Sequence, residues 1–121
     1  MAREKLRGFN RLVRACGATR KGLAAAWREE AAFRQELVVV VLAVPLALWL
    51  GRSGVERALL VAPLLLVLIV ELLNSGIEAA IDRIGPERHE LAGLAKDLGS
   101  AAVFLSLVAC AVIWALVLLD H

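Results

Sequence analysis

Tyrosine is absent from this 121-residue chain, and aromatic residues together make up only 5% of it. Apolar residues make up 60%, against roughly 45–50% in an ordinary soluble domain. Leucine, valine and alanine supply most of that fraction. The bias argues against an aromatic-rich soluble core and favours helices in lipid, in a chain long enough for one domain.

Common motifs for nucleotide and acyl chemistry are also missing. The sequence has no G-x-x-x-x-G-K-[ST] phosphate loop, no glycine-rich kinase loop and no G-x-S-x-G serine elbow. Its two cysteines, Cys16 and Cys110, lack metal-ligand spacing and are expected to be free thiols packed as small hydrophobes. The histidines, His89 and His121, lie far apart, so no Cys/His metal cluster is expected. Any nucleotide chemistry must therefore use an unusual site.

The net charge of +2 conceals a strong asymmetry, because nine of the fourteen Lys and Arg residues precede Glu36. A basic segment can bind nucleic acid. Beside long apolar runs it is more typical of a cytoplasmic membrane surface, so no nucleic-acid partner is expected. The charged amino-terminal segment does not resemble a cleavable signal peptide.

Residues 6–34 are polar, with apolar side chains recurring every three or four positions on both sides of Gly17. This rhythm predicts a basic amphipathic helix that lies in the membrane interface, in one piece or divided at Gly17. A soluble helix packed on a partner is the alternative. The interfacial location is favoured because apolar segments long enough for lipid follow directly.

The first apolar run, residues 37–50, is shorter than the about 20 residues that a membrane span needs. Extending it back to Ala31 supplies the length and gives a first span at 31–50. Arg34 can then snorkel to the interface, and Glu36 should face a protein or polar partner.

Two longer apolar segments follow. A second span is predicted at 58–81, after a short turn at 51–57, and a third span without any charge at 98–119. The charged residues 82–97 are predicted to form the loop between them. The sequence therefore predicts an all-α integral membrane protein, a single domain over residues 1–121.

Basic residues also set the predicted orientation. The amino-terminal segment has nine and the 82–97 loop has three, whereas the 51–57 turn has two and the carboxyl terminus none. The positive-inside rule places the amino terminus and the 82–97 loop in the cytoplasm, and the carboxyl terminus on the periplasmic side.

Polar side chains recur along one face of the second span. Glu71, Asn74, Glu78 and Asp82 are spaced i, i+3, i+7, i+11 and lie within about 80° of one another on a helix. A charge at mid-bilayer costs about 2.5–3.5 kcal/mol, so such groups need a cation, a cavity or a partner. Oxygen ligands suit Mg²⁺, and a spare carboxylate could act as general base on an alcohol. The alternative is a set of interhelical hydrogen bonds, with Asp82 already in water.

Three further groups could converge on this stripe from the same side of the membrane. Glu30 precedes the first span, and Lys96 and Asp97 open the third. A lysine could hold phosphate and an aspartate could orient it. The alternative is a solvated helix start, with Asp97 favoured by the amino-terminal dipole.

The chain resembles the prokaryotic diacylglycerol kinases, small trimeric membrane kinases, in three stretches: EAAFRQE from Glu30, VELLNSGIEAAIDRIG from Val70 and HELAGLAKDLGSAA from His89. The likeness covers nearly the whole chain, and the E-x-x-N-S-x-I-E-x-x-x-D-R run is its most specific part. It implies transfer of the γ-phosphoryl of ATP to diacylglycerol, with Mg²⁺, giving phosphatidic acid. It also implies a homotrimer in the bacterial inner membrane, with sites between subunits that face the cytoplasm.

The resemblance implies roles for individual residues. Glu71 would be the catalytic base, Glu30 and Glu78 the metal ligands, and Asn74 a site-organising residue. The implied nucleotide contacts are Arg11, Glu30, Glu78, Glu87, Arg88, His89, Lys96 and Asp97. The implied contacts to the lipid substrate are Arg11, Arg34, Gln35, Glu36, Trp49, Arg57, Glu71 and Ser100.

Departures from the family pattern leave the carboxylates intact. Ala18 and Arg20 stand where relatives carry aromatic residues, and Leu94 replaces a basic residue, which could alter adenine or lipid contacts. Two other functions stay open. One is a kinase for undecaprenol on the same fold, and the other is a non-enzymatic membrane protein that uses the acidic stripe as a cation pathway.

Overall fold

A computed structural model of the protein describes residues 2–84 and 90–121. These residues form four helices and contain no strand: α1 (Ala2–Glu29), α2 (Ala31–Leu50), α3 (Gly54–Ile84) and α4 (Glu90–Leu119). The predicted all-α fold is therefore confirmed.

Three of the four helices, α2, α3 and α4, are long and apolar enough to cross a membrane. The 20 residues of α2 extend about 30 Å, which matches the hydrocarbon core of a bilayer. The 31 residues of α3 and the 30 residues of α4 extend about 45 Å each. Both helices are thus long enough to carry polar residues beyond the hydrocarbon.

The two connections between these helices are shorter than predicted. The charged segment 82–97 is helical up to Ile84 and again from Glu90, since residues such as Ala, Glu, Lys and Arg favour a helix in water as well. Residues 85–89 lie outside the described part of the chain. At the other end, α3 begins at Gly54 because the Ser53 hydroxyl accepts a hydrogen bond from the Glu56 amide at 3.1 Å.

Helix α1 is continuous, so the division considered at Gly17 is wrong. A hypothetical Cβ at Gly17 would meet nothing within 4 Å, and the residue simply follows the helical path that glycine tolerates at a cost of about 1 kcal/mol. The chain leaves helical geometry only at Glu30, whose φ of −114° and ψ of 104° are extended. Glu30 therefore forms the corner between α1 and α2.

Helix α3 is the centre of the fold, packed against α4 on one side and α2 on the other, whereas α1 contacts α2 only lightly. Leu60, Leu64 and Val67 form its buried apolar stripe. Most other large apolar side chains of α2, α3 and α4 are exposed. A single copy thus buries one narrow seam and leaves broad apolar surfaces for lipid or for other copies.

Candidate functional site

Glu71 occupies a core position of α3. It continues the buried stripe of Leu60, Leu64 and Val67 at helical spacing, and only 5% of its surface is exposed. The same periodicity that buries leucine in the first half of α3 therefore buries a carboxyl group in its second half. Buried charges are found where they meet a partner or a ligand, so Glu71 is a candidate site residue.

Other carboxylates surround this position. Glu30 and Glu78 are the charged groups that act electrostatically on Glu71. Glu71 in turn acts on Glu36, whose Oε2 atom is buried and has no hydrogen-bond partner. Glu30 lies between α1 and α2, whereas Glu71 and Glu78 lie on α3. The fold thus brings these carboxylates together, as the helical spacing predicted for Glu71 and Glu78.

Glu30 reaches this site because it sits at the corner between α1 and α2. Its amide donates to the Ala26 carbonyl at 2.9 Å, and its carbonyl accepts from the Arg34 amide at 3.1 Å. Its side chain makes no capping hydrogen bond to α2. The backbone of Glu30 is therefore held at the corner, and its side chain is not used to cap α2.

The Arg34 side chain helps to hold that corner. Its Nη1 atom donates to the carbonyls of Trp27 at 2.8 Å and Arg28 at 3.1 Å, the last turn of α1. The positive guanidinium satisfies these helix-end carbonyls and also interacts favourably with the negative end of the helix dipole. Arg34 thus joins α1 to α2 in the structure. This structural role was not predicted, since the sequence resemblance implied only a contact with the lipid substrate.

Asn74 lies one turn beyond Glu71 and crosses from α3 to α4. Its side chain packs against Gly99, where the nearest atoms to a hypothetical Cβ are Asn74 Oδ1 and, at 3.2 Å, Asn74 Cγ. The Asn74 Oδ1 atom is buried without a hydrogen-bond partner, and so is the hydroxyl of the neighbouring Ser75. Unsatisfied buried oxygens at this point are typical of groups that a ligand or partner completes.

The Lys96 side chain forms an ion pair with Asp82, with 2.8 Å between Nζ and Oδ1. The negative charge of Glu78 also acts on Lys96. This pair links the polar ends of α3 and α4 and places a cation beside the carboxylates. Asp97 and Ser100 follow on α4 and are exposed.

A cavity of about 400 Å³ opens beside the carboxylates, between α2, α3 and α4. Gln35 and Glu36 line its polar end, and apolar side chains such as Val40, Leu64 and Trp114 line the rest. An apolar cleft with a few polar groups at one end suits an amphiphilic molecule. Its polar end lies beside the partnerless Glu36 oxygen.

Several predicted site residues lie far from Glu71 within one chain. Arg57 is about 21 Å away along α3, and its Nε atom donates to the Leu48 carbonyl at 3.0 Å. Trp49 is beside it at the end of α2 and is 79% exposed. Arg11 lies on α1 about 28 Å from the Glu30 corner. Glu87, Arg88 and His89 fall outside the described residues.

The donor atoms of the site suit a hard divalent cation in a partial site. Within residues 2–84 and 90–121, no group of three or more His, Cys, Asp or Glu side chains is arranged to hold a metal ion. Mg²⁺ commonly takes only one or two protein carboxylates and completes its shell with phosphate oxygens and water. Glu30 and Glu78, two carboxylates beside a buried third one, fit that mode.

Two features of the site were not assigned from the sequence. Neither Gly99 nor Ser75 received a role. The signal for Ser75 was its place directly after Asn74 in the polar stripe. No sequence signal indicates that Gly99 faces Asn74, because the contact depends on how α4 is rotated against α3.

Sequence comparisons show the family of the chain. The sequence model of the family described as prokaryotic diacylglycerol kinase matches residues 17–118. The diacylglycerol kinase of Escherichia coli (strain K12) is 53% identical over 114 residues, which cover 94% of this chain and 93% of that protein. The diacylglycerol kinase of Pseudomonas aeruginosa is 51% identical over 112 residues, covering 93% and 91%. That of Haemophilus influenzae is 42% identical over 110 residues, covering 91% and 93%. The chain therefore belongs to the prokaryotic diacylglycerol kinase family.

Proposed function

We propose that this protein is a diacylglycerol kinase, which transfers the γ-phosphoryl group of ATP to the free hydroxyl of diacylglycerol and produces phosphatidic acid. The observation that carries the proposal is the buried Glu71 carboxyl group at the end of an apolar seam, beside Glu30 and Glu78. Relatives that carry the name diacylglycerol kinase over more than nine-tenths of this chain support the same activity.

Glu71 would act as the general base. Because it is buried within the fold, it can accept a proton from an alcohol that stays within the membrane and never enters water. Phosphoryl transfer needs little covalent help from the protein, which mainly positions the two substrates and balances phosphate charge. One carboxylate for the proton and separate groups for the phosphates meet that requirement.

Glu30 and Glu78 would hold Mg²⁺ together with oxygens of the ATP phosphates. Once bound, the cation offsets the charge of the phosphates and the mutual repulsion of the carboxylates. Lys96 would hold phosphate oxygens and Asp97 would orient the nucleotide, with further contacts from Arg11, Glu87, Arg88 and His89. The position of Lys96 beside Asp82 and Glu78 supports this placement.

The lipid would bind with its hydroxyl at Glu71 and its chains along the apolar cavity. Gln35 and Glu36 line the polar end of that cavity. Arg34 and Ser100 would contact the polar part of the lipid. Trp49 and Arg57 lie about 21 Å farther along the helices, so any contact they make is with the distal end of the chains.

A homotrimer with sites shared between subunits is part of the proposal. Arg11 lies about 28 Å along α1 from the Glu30 corner, so it can reach a site only if that site belongs to another copy. The broad exposed apolar surfaces of α3 and α4, which include Ile69 and Phe104, leave room for neighbouring subunits. Crosslinking in mixed micelles should therefore stop at three chains.

We place the site at the cytoplasmic face of the bacterial inner membrane, with the amino terminus inside and the carboxyl terminus in the periplasm. The test uses a variant without Cys16 and Cys110. A cysteine at Ser53 should react with an impermeant maleimide from the periplasmic side, and a cysteine at Gly93 should not. The reverse labelling would overturn this orientation.

The test of the function compares two lipids in mixed micelles with ATP and Mg²⁺. Dioleoylglycerol should be phosphorylated with a much higher kcat/KM than undecaprenol, and Glu71→Gln should abolish most of the turnover of both. A preference for undecaprenol would identify undecaprenol as the lipid substrate and would leave the base and metal assignments unchanged. Absence of turnover with either lipid would contradict the kinase and favour a cation pathway.

A further inference from the structure

Gly99 is one of the two residues of α4 that are buried, the other being Ser106. Its backbone faces α3 directly, because a hypothetical Cβ at Gly99 would collide with Asn74 Oδ1. The other atoms that such a Cβ would meet, at 3.2 Å and 3.8 Å, also belong to the Asn74 side chain. The missing side chain at Gly99 therefore makes room for one particular group, the Asn74 amide.

The contact links three parts of the site. Asn74 follows Glu71 by one turn on α3, and Lys96 precedes Gly99 by one turn on α4. Seated against Gly99, the amide fixes how closely α3 and α4 approach at this level. The Lys96–Asp82 ion pair joins the two helices farther along, but both of its side chains are largely exposed, 44% and 67%, and exposed pairs hold geometry weakly.

On this basis, and given the proposed kinase function, we infer that Gly99 is a positioning residue that acts through Asn74. Gly99 leaves room for the Asn74 amide between α3 and α4. The amide then sets the spacing between the carboxylates of α3 and Lys96 of α4. A side chain at residue 99 would displace the amide and move these groups apart. The turnover number kcat would then fall by a larger factor than the affinity for the substrates.

Small residues also allow ordinary close packing of membrane helices, so the test must separate the two roles. It uses Gly99→Ala, Asn74→Ala, the double variant Gly99→Ala/Asn74→Ala and the wild type. Gly76→Ala is the matched control: Gly76 is also helical and close to Asn74 in sequence, but a Cβ there meets nothing within 4 Å. It carries the same change in helix propensity without the contact.

For Gly99→Ala we expect kcat with dioleoylglycerol to fall by up to about 100-fold, the effect of displacing a reacting group by ~1 Å, with a much smaller rise in KM for ATP. The double variant should match Asn74→Ala to within about twofold, because residues in direct contact are not additive. Gly76→Ala should keep wild-type turnover. Losses that multiply in the double variant, or full activity of Gly99→Ala, would overturn the inference.

Thermal unfolding of the same proteins tests the contact without any turnover. Gly99→Ala should lower Tm, and adding Asn74→Ala should restore most of the loss because the colliding amide is gone. If Gly99→Ala does not fold, folding of the double variant still supports the contact, and its failure overturns it. If the wild type proves inactive, the kinase proposal and the positioning role fail together, while this comparison of Tm values still decides whether Gly99 makes room for the Asn74 amide.

Discussion

The polar groups of α3 are satisfied differently in its first half, the Leu60 end, and in its second half, the Glu71 end. At the Leu60 end, Trp114 Nε1 donates to the Leu60 carbonyl at 2.9 Å, and Ser53 caps the first turn. At the Glu71 end, Asn74 Oδ1, Ser75 Oγ and Glu36 Oε2 are buried without partners. A buried unsatisfied polar group costs about 1–3 kcal/mol, so a ligand or second subunit that satisfies these oxygens would stabilise the Glu71 end. On the proposed function, the Leu60 end serves folding and the Glu71 end serves binding.

The largest effect should come from replacing Glu71, because it is the proposed base. Glu71→Gln keeps the shape of the side chain and should lower kcat by about 10²–10⁴, the usual contribution of general acid–base catalysis. Its Tm should not fall, since the change removes a buried acid. Glu56→Gln makes the same chemical change at the Leu60 end and should leave turnover unaltered. Equal activities of the two variants would remove the distinction between the ends.

A second effect concerns the cation. Glu30→Gln and Glu78→Gln should each raise the Mg²⁺ concentration needed for half-maximal turnover by at least ~10-fold, the loss found when even an outer partner of a metal is removed. Glu29→Gln, next to Glu30 and exposed, is the control and should titrate like the wild type. Unchanged Mg²⁺ titrations for both test variants would contradict the ligand assignment.

The Leu60 end should respond with stability instead of turnover. Ser53→Ala removes the acceptor for the Glu56 amide and should cost about 1 kcal/mol of unfolding free energy, typical of a lost helix cap. Ser53→Asp keeps a capping oxygen and should recover most of it. The measurement is Tm in detergent together with kcat. A Ser53→Ala variant with native stability and reduced kcat would invert the comparison.

The smallest effect on stability is expected at the ion pair between α3 and α4. Asp82→Asn and Lys96→Gln both break it, and each should cost little stability, as for exposed pairs. Added salt should reduce that loss, which unfolding at two ionic strengths can measure. Lys96→Gln should also lower turnover, whereas Asp82→Asn should not. Similar turnover in both variants would remove Lys96 from the phosphate contacts.

The sequence predicted what the helical period alone determines. The spacing of Glu71, Asn74 and Glu78 places them on one face, and the structure continues the buried stripe of Leu60, Leu64 and Val67 into that face. The apolar runs likewise predicted three helices able to cross a membrane. Both are properties of single helices, and neighbouring helices do not alter them.

Properties that depend on two helices were not predictable. The rotation of α4 decides that Gly99 meets Asn74 and that Lys96 pairs with Asp82. Since α4 is apolar on all sides after Asp97, its sequence does not indicate which face packs on α3. The charged residues after Asp82 were expected to be a loop because polarity marks the end of the membrane, but it does not mark the end of a helix.

The corner at Glu30 gives α1 the mechanics of a lever. The fulcrum is the single extended residue, which Arg34 braces through the carbonyls of Trp27 and Arg28. Since α1 is about 42 Å long, a swing of about 10° about that fulcrum would carry its amino-terminal end roughly 7 Å and Arg11 roughly 5 Å, but would scarcely displace the Glu30 carboxylate. A motion of α1 about Glu30 would therefore displace Arg11 much farther than the proposed cation ligand.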